Sequence, residues 1–510
     1  MIAPRALCLG IASLAIAACG RSEDPAYARG STVVMAVRDV RDILPDAVSL
    51  DFLFFLPLAK QDKRGELQGV LAQSWEHSAD FKEFTYHLRT DVRWQDGVPT
   101  TAHDVKFTLD LLGEAGVAGF GIEKVTVVDD STVTIRAENQ EYLDYLVYYP
   151  KHLLEGLDPK RFWKWEFWLK PVGNGPYRFV RHVPQTLMEF EANPDYYGAK
   201  PRIDRVILKF VGHAWLTELL AGNVDIASGD LAQVSRIVRD PRFRVYYGIP
   251  YAAQAIYWRT DHPLFRDARV RRALTLAIDR PELARRLNLP PGSPITDAPR
   301  TFRQSRRGEF PEAQALPYDP DEARRLLEAA GWVDRDGDGV RERAGRPFRF
   351  TAKVWNEHQA PQLAVYVQDY LRRVGVQMDV VMLEDALMWK NLTGDFEALL
   401  FRHNAGPEAQ RRNFGRENRT GYRSPAAFDV IDRIMATADP DEEDRLYGEL
   451  AEIFRTELPL TRLVWKFDVT VAHRRVRGLS TPFRADANTH MDDLWVDVDG
   501  RYILKQTVRR

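Results

Sequence analysis

Both cysteines of this 510-residue chain, Cys8 and Cys19, lie in its first nineteen positions. Everything from Gly20 onward must fold without a disulfide, so its stability has to come from buried apolar cores. At this length two or three such cores are expected rather than one. Hydrophobic residues make up 45% of the chain and charged residues 28%, which suits several globular units and argues against disorder.

The same two cysteines locate the start of the mature protein. Arg5 precedes an apolar run, Ala6–Ala18, that is shorter than the roughly 20 residues of a spanning helix. A charged residue followed by a short apolar run is the layout of an export signal. The run ends in Ile16, Ala17 and Ala18 before Cys19, which resembles the bacterial lipoprotein cleavage box. On this reading residues 1–18 are a signal peptide, Cys19 is the lipidated first residue, and residues 19–30 are a polar tether. An ordinary signal peptide cut nearby is the alternative, and both export the protein. No later stretch is long and apolar enough to suggest a membrane span. Basic and acidic residues nearly balance, 71 against 73, with an isoelectric point near 6.6. No basic excess points to nucleic acid.

Local patterns predict alternating strands and capped helices. Phe84, Tyr86 and Leu88 alternate along a strand that leads into "RWQDGVPTTAHDV", where Asp96–Gly97 marks a turn. Thr101 is placed as an N-cap with Asp104 three residues on, followed by Val105, Thr108, Leu109 and Leu112 at helical spacing. Asp158–Pro159, Asp279–Pro281 and Asp319–Pro320 repeat the cap-then-proline device. From about Ala268 onward strands alternate with longer amphipathic helices, which favours an α/β unit with largely parallel pairing.

Several stretches invite a chemical reading. His103–Asp104 offers two members of a hydrolase triad, but no G-x-S-x-G supplies a nucleophile, and Asp104 already has a capping role. The eleven histidines are scattered without H-E-x-x-H spacing, so no metal site is assigned. Asp334, Asp336 and Asp338 occupy the first positions of a calcium loop, yet Gly345 stands where a bidentate glutamate belongs; a polar hairpin turn is the preferred reading. No phosphate-binding glycine loop is present. "FWKWEFW", Phe162–Trp168, suits packing between domains better than a ligand pocket or a membrane contact.

Taken together, eight ordered segments resemble the extracellular solute-binding proteins of family 5, the peptide- and nickel-binding components of ABC importers. They run from "LAQSWEHSADFKEFTYHLRTDVRWQDGVPTTAHDV" through "KPVGNGPYRFV", "ANPDYYGAKPRIDRV" and "LLAGNVDI" to "HPLFRDARVRRALTLAIDR". The series continues with "YDPDEARRLLEAAGW", "GYRSPAAFDVIDRI" and "LPLTRLVWKFDVTVAHRRVRGL". The resemblance implies an α/β, two-lobe periplasmic-binding-protein fold, class II-like, with an extra subdomain in the first lobe. It implies a first lobe over 31–73 and 194–258, the subdomain at 74–193, a second lobe at 259–478, and a return to the first lobe at 479–510.

The resemblance also implies a function without bond chemistry or cofactor: capture of a peptide or peptide-like solute in the interlobe cleft and delivery to a membrane permease and its ATPase. The protein would be a monomer held at the periplasmic or cell surface through Cys19. Peptide-binding members carry an aspartate for the peptide's amino terminus. Here Arg402, His403 and Asn404 occupy that region and Glu408 is the nearest carboxylate. Either Arg402 and His403 form a basic pair for an anionic or modified ligand, or Glu408 serves the amine. Family position also turns Trp258, Arg259 and Asp42 toward the cleft. An exported hydrolase, and a binding fold diverted to sensing or presenting a ligand, remain the rivals.

Overall fold

The computed structural model describes residues 32–37, 53–61, 67–115, 121–137, 143, 146–229, 231–234, 236–248, 252–290, 293–301, 304, 315–356, 359–384, 394–404, 406–437, 439–467, 469–479 and 495–496. Cys19, Asp42 and the proposed tether lie outside them.

In chain order, β1 (Thr32–Val37) precedes β2 (Ala72–His77) and β3 (Glu83–Leu88), then helix α1 (Ala102–Glu114), β4 (Ile122–Asp129) and β5 (Thr132–Ala137). Next come β6 (Tyr177–Val183), β7 (Leu187–Ala192), β8 (Arg205–Phe210), β9 (Ile226–Gly229), β10 (Phe243–Tyr247) and β11 (Ala252–Trp258). Helices α2 (Ala268–Leu276), α3 (Arg280–Arg286) and α4 (Pro320–Ala329) lead to β12 (Arg349–Trp355), α5 (Ala360–Arg372), β13 (Gln377–Leu383) and β14 (Ala398–Asn404). The chain continues through α6 (Pro407–Phe414), α7 (Pro425–Ala436), α8 (Pro440–Glu457), β15 (Leu460–Lys466) and β16 (Val469–His473).

These strands build two large sheets and a smaller one. The first runs β10-β16-β9-β1-β8-β7-β6, the second β13-β12-β14-β11-β15, and the small one β2-β3-β5-β4. Within the first sheet β1 pairs parallel with β8 and β9. Within the second, β12 pairs parallel with β13 and β14, while β11 runs antiparallel between β14 and β15. All seven residues of β11 are buried, as a central strand covered on both faces requires.

Two neighbouring strand pairs carry the chain between the large sheets. β10 leads into β11 and β15 into β16; β10 pairs with β16 in one sheet and β11 with β15 in the other. The chain therefore crosses between Tyr247 and Ala252, and again between Lys466 and Val469. This corrects the expected lobe limits: β11 already belongs to the second sheet, so that lobe begins near Ala252 rather than at 259. β16 has already rejoined the first sheet at Val469 rather than after 479. The extra subdomain is likewise smaller than 74–193. Its sheet ends at Ala137, and β6 and β7 pair onto β8 of the first sheet. One apolar cluster, including Val34, Ile207, Val469, Val464, Ile256 and Trp258, continues through the crossings.

The local readings of the joints are borne out. Thr101 and Asp104 form a complete capping box on α1. Asp279 and Asp319 each accept the amide N–H three residues on, at 2.8 Å. Asp334 accepts from the amides of Gly337 and Gly339, so the acidic run folds as a polar turn. Phe162, Trp165 and Trp168 are buried against Phe55 and Tyr149 in one aromatic cluster. The packing reading of "FWKWEFW" thus accounts for these rings.

Candidate functional site

In an open α/β sheet a ligand site is expected beyond the carboxyl ends of the parallel strands. In the second sheet that edge carries Trp355, Leu383, Asn404 and Lys466, together with the first residues of β11. In the first sheet the corresponding edge carries Val37, Phe210, Gly229 and Tyr247, and Val469 pairs with both of the last two. Both edges meet at the crossings. The carboxyl ends of both sheets therefore lie beside the same two connections, where a ligand site is expected.

Arg402, His403 and Asn404 are the last three residues of β14, at this edge. Successive strand residues project to opposite faces. Gln254 stands directly across from Arg402, and Ala253 from His403. Arg402 and His403 therefore cannot form one basic pair around a ligand, which corrects that expectation.

His403 is 3% exposed and packs beneath α6. Its Nδ1 is 2.7 Å from Tyr257 Oη, while its Nε2 faces the Arg462 guanidinium at 3.3 Å and Gln410 Nε2 at 3.5 Å. Arginine has only donors, so Nε2 must be the acceptor and Nδ1–H donates to Tyr257. Burial, reinforced by Arg462, Arg419 and Arg412, holds the imidazole well below the usual histidine range. His403 is a neutral structural group. Below it Arg462 donates to the Asp297 carbonyl oxygen, and Asp297 holds Arg280 through both carboxylate oxygens, at 2.5 and 3.2 Å.

The other face has a different character. Arg402 is half-buried, and its guanidinium carbon reaches over the strand end to 5.6 Å from the centre of the Trp355 ring, which packs on Phe401. Its Nε has no hydrogen-bond partner among the described residues, nor has Gln254 Oε1 or Asn404 Oδ1, and all three atoms are buried. Buried polar atoms are nearly always satisfied in folded proteins, so a cluster of orphans at a strand edge points to a missing partner.

Comparison with known proteins follows this geometry. The sequence description "Bacterial extracellular solute-binding proteins, family 5 Middle" matches residues 66–417, more than half the chain. The chain belongs to the family 5 bacterial extracellular solute-binding proteins. A putative ABC transporter peptide-binding protein of Brucella ovis is 28% identical over 437 residues, covering 80% of each chain. The fold matches that of a putative peptide-binding protein AppA from Clostridium difficile with a TM-score of 0.77, at 20% identity over 92% of this chain and all of that one. It also matches NikZ from Campylobacter jejuni, solved in complex with Ni(L-His), with a TM-score of 0.72 at 23% identity over 92% of this chain and 100% of that one. The two-lobe α/β architecture is thus that of the family.

The remaining expected site residues of this family 5 protein separate in space. Trp258 ends β11 at the far end from the crossing, roughly 13 Å from Gln254 at strand spacing. It is fully buried and donates its indole N–H to Thr461 at 3.0 Å. Arg259 follows it, bound to Asp261 at 2.7 Å and to the Gly394 carbonyl oxygen. There it lines an open cavity of about 800 Å³ with Lys353, Asp395 and Glu397. Neither residue shares the edge with Arg402; an aromatic near a crossing reads the same in sequence whether it walls a pocket or fills a core. Glu408 is exposed and paired with Arg411 at 2.7 Å. Sequence reasoning missed Gln254 and Arg462, and it turned Tyr257 toward the cleft with the rest of "YWRTD", whereas Tyr257 is buried against His403; reading "ALLFRHN" as a strand would have separated Arg402 from His403, but nothing local signals their cross-strand partners.

The buried imidazole sets a pH dependence. Folding lowers the proton affinity of His403, so above about pH 6.5 both folded and unfolded forms are neutral and nothing is lost. Below that value the unfolded chain takes up a proton that the folded chain refuses, and stability falls. The unfolding free energy from urea titration should therefore drop between about pH 6.5 and 5, by up to about 1.4 kcal/mol per pH unit from this group. His403→Gln should flatten that part of the slope, leaving the smaller share of His473, which burial also pushes down.

Proposed function

We propose that this protein captures a peptide-like solute between its two lobes and delivers it to an ABC permease and ATPase, without making or breaking bonds. The observation that supports the reading is that β10 pairs with β16 in one sheet while β11 and β15, next to them in the chain, pair in the other, so the carboxyl ends of both sheets lie beside the same two connections. Closure about such a hinge excludes water from the ligand, and the closed form is what a permease can select. The Brucella ovis relative is named as peptide-binding, and so is the Clostridium difficile structure.

Arg402 and Asn404, with Gln254, are the proposed contacts from the second lobe. Asp42 is proposed from the first, because the segment that contains it leaves β1 at Val37, on the cleft edge. The lipoprotein-like "IAAC" box supports anchoring through Cys19 at a periplasmic or cell surface, with the protein acting as a monomer. Among the described residues no helix is long and apolar enough to cross a membrane.

Native mass spectrometry of protein purified from its own host tests the reading. The expected result is a small molecule carried non-covalently and released intact on unfolding. Purified protein that converts an added peptide into products contradicts it.

A further inference from the structure

The polarity of the second-lobe edge goes beyond capture of a solute. We propose that it receives the acid end of the ligand: a carboxylate on Arg402, with the neighbouring N–H groups on Gln254 and Asn404. This rests on the reading of the cleft as a site for peptide-like solutes.

Three observations converge. First, the orphaned atoms are one cationic donor and two amide oxygens, and they share a face: Gln254 is opposite Arg402, and Asn404 lies opposite Ala252, two residues along. Gln254 is 4% exposed, so its unpaired oxygen is enclosed by protein rather than left to solvent. A carboxylate beside an amide N–H, as at a peptide's carboxyl terminus, offers an acceptor pair for the guanidinium fork and a donor for an amide oxygen.

Second, the ground beneath the edge is positive. Arg462, 3% exposed, lies under β14 against a neutral imidazole, and its Nε has no hydrogen-bond partner among the described residues. In the next cross-strand row Arg300 sits over the Trp465 ring at 4.1 Å. Such a field disfavours an ammonium group and favours an anion.

Third, the carboxylates found around this region are engaged. Asp297 is held by Arg280, Glu408 by Arg411, and Glu384 accepts from Asn356 at 2.8 Å. Among the described residues these three carboxylates of the second-lobe edge each have a partner, whereas an amine-binding edge would need a free one.

The test uses four pools of random tripeptides: free at both ends, N-acetylated, C-amidated, and blocked at both ends. Each is titrated calorimetrically into exported protein stripped of ligand by unfolding and refolding. Amidation should weaken binding by about 30-fold or more, the cost of leaving a buried charge without its partner, while acetylation should change it little. Arg402→Gln should bring the free-acid pools down to the level of the amides and leave the amides near their original affinity. Gln254→Glu, which sets a carboxylate across from Arg402, should weaken the acids more than the amides and serves if the first variant folds poorly. Loss of binding on acetylation but not on amidation overturns the proposal and leaves the solute-binding reading standing, as does equal affinity for all four pools. Failure of every pool to bind removes the peptide-like reading, and this proposal with it.

Discussion

Asp297→Ala is expected to be among the most destabilising single substitutions in the second lobe, lowering unfolding free energy by about 3–5 kcal/mol. Asp297 and Arg280 are 7% and 1% exposed, and their bidentate contact compensates a guanidinium that has almost no access to water. The carboxylate also accepts the Leu316 amide at 2.8 Å, and the Asp297 carbonyl accepts from Arg462. Removing the side chain leaves Arg280 buried and charged, held among the described residues by the carbonyls of Arg462 and Leu316. Urea unfolding of the variant measures the loss. The double variant Asp297→Ala with Arg280→Met should recover much of it, because a buried pair exchanged for apolar groups is often close to neutral. Additive losses would show that the two groups are not coupled, contrary to this account.

The second large effect falls at the joint that looks catalytic in sequence. Asp104→Ala should cost about 3 kcal/mol, while His103→Ala should stay within about 0.5 kcal/mol. Asp104 is 4% exposed and accepts from the amides of Thr101 at 2.8 Å and Lys151 at 2.9 Å, with the Trp94 indole N–H at 3.4 Å. It therefore fastens the strand, the start of α1 and the segment at Lys151 together. His103 is exposed, 3.4 Å from the still more exposed Asp130. Thermal or urea unfolding separates the two. Comparable losses from both variants, or a catalytic activity abolished by His103→Ala, would restore the triad reading.

The contrast between these sites shows what the sequence can convey. The Thr101–Asp104 box, the Asp279 and Asp319 caps and the Asp334 turn are legible because each is settled within a few residues by backbone donors and a short side chain. The Phe162–Trp168 rings are legible as core because so many aromatics in a short run need a shared apolar volume. The crossings are displaced in the sequence reading by several residues, because "VYYGIPYAAQAIYW" carries strand-forming residues on both sides of its glycine and proline. Nothing local says which sheet each half joins.

The site is harder still. His403 meets Tyr257 across 146 positions and Arg462 across 59, and only the β14–β11–β15 register brings them together. Arg402 stands at the edge because β14 ends there. Its usefulness depends on Gln254, a glutamine that no motif marks.

Two lobes joined at these crossings are expected to hinge and close on a solute. Val180 on β6 and Met382 on β13 are exposed, and their strands are the farthest in each sheet from the crossing pair. With Cys8 and Cys19 replaced by serine the chain has no thiol. Cysteines introduced at Val180 and Met382 would then carry a donor and an acceptor dye for single-molecule energy transfer. With the co-purified solute or the free-acid tripeptide pool, the account predicts a shift from a longer to a shorter distance that saturates with binding and reverses when ligand is removed. An unchanged distance at saturating ligand would contradict it.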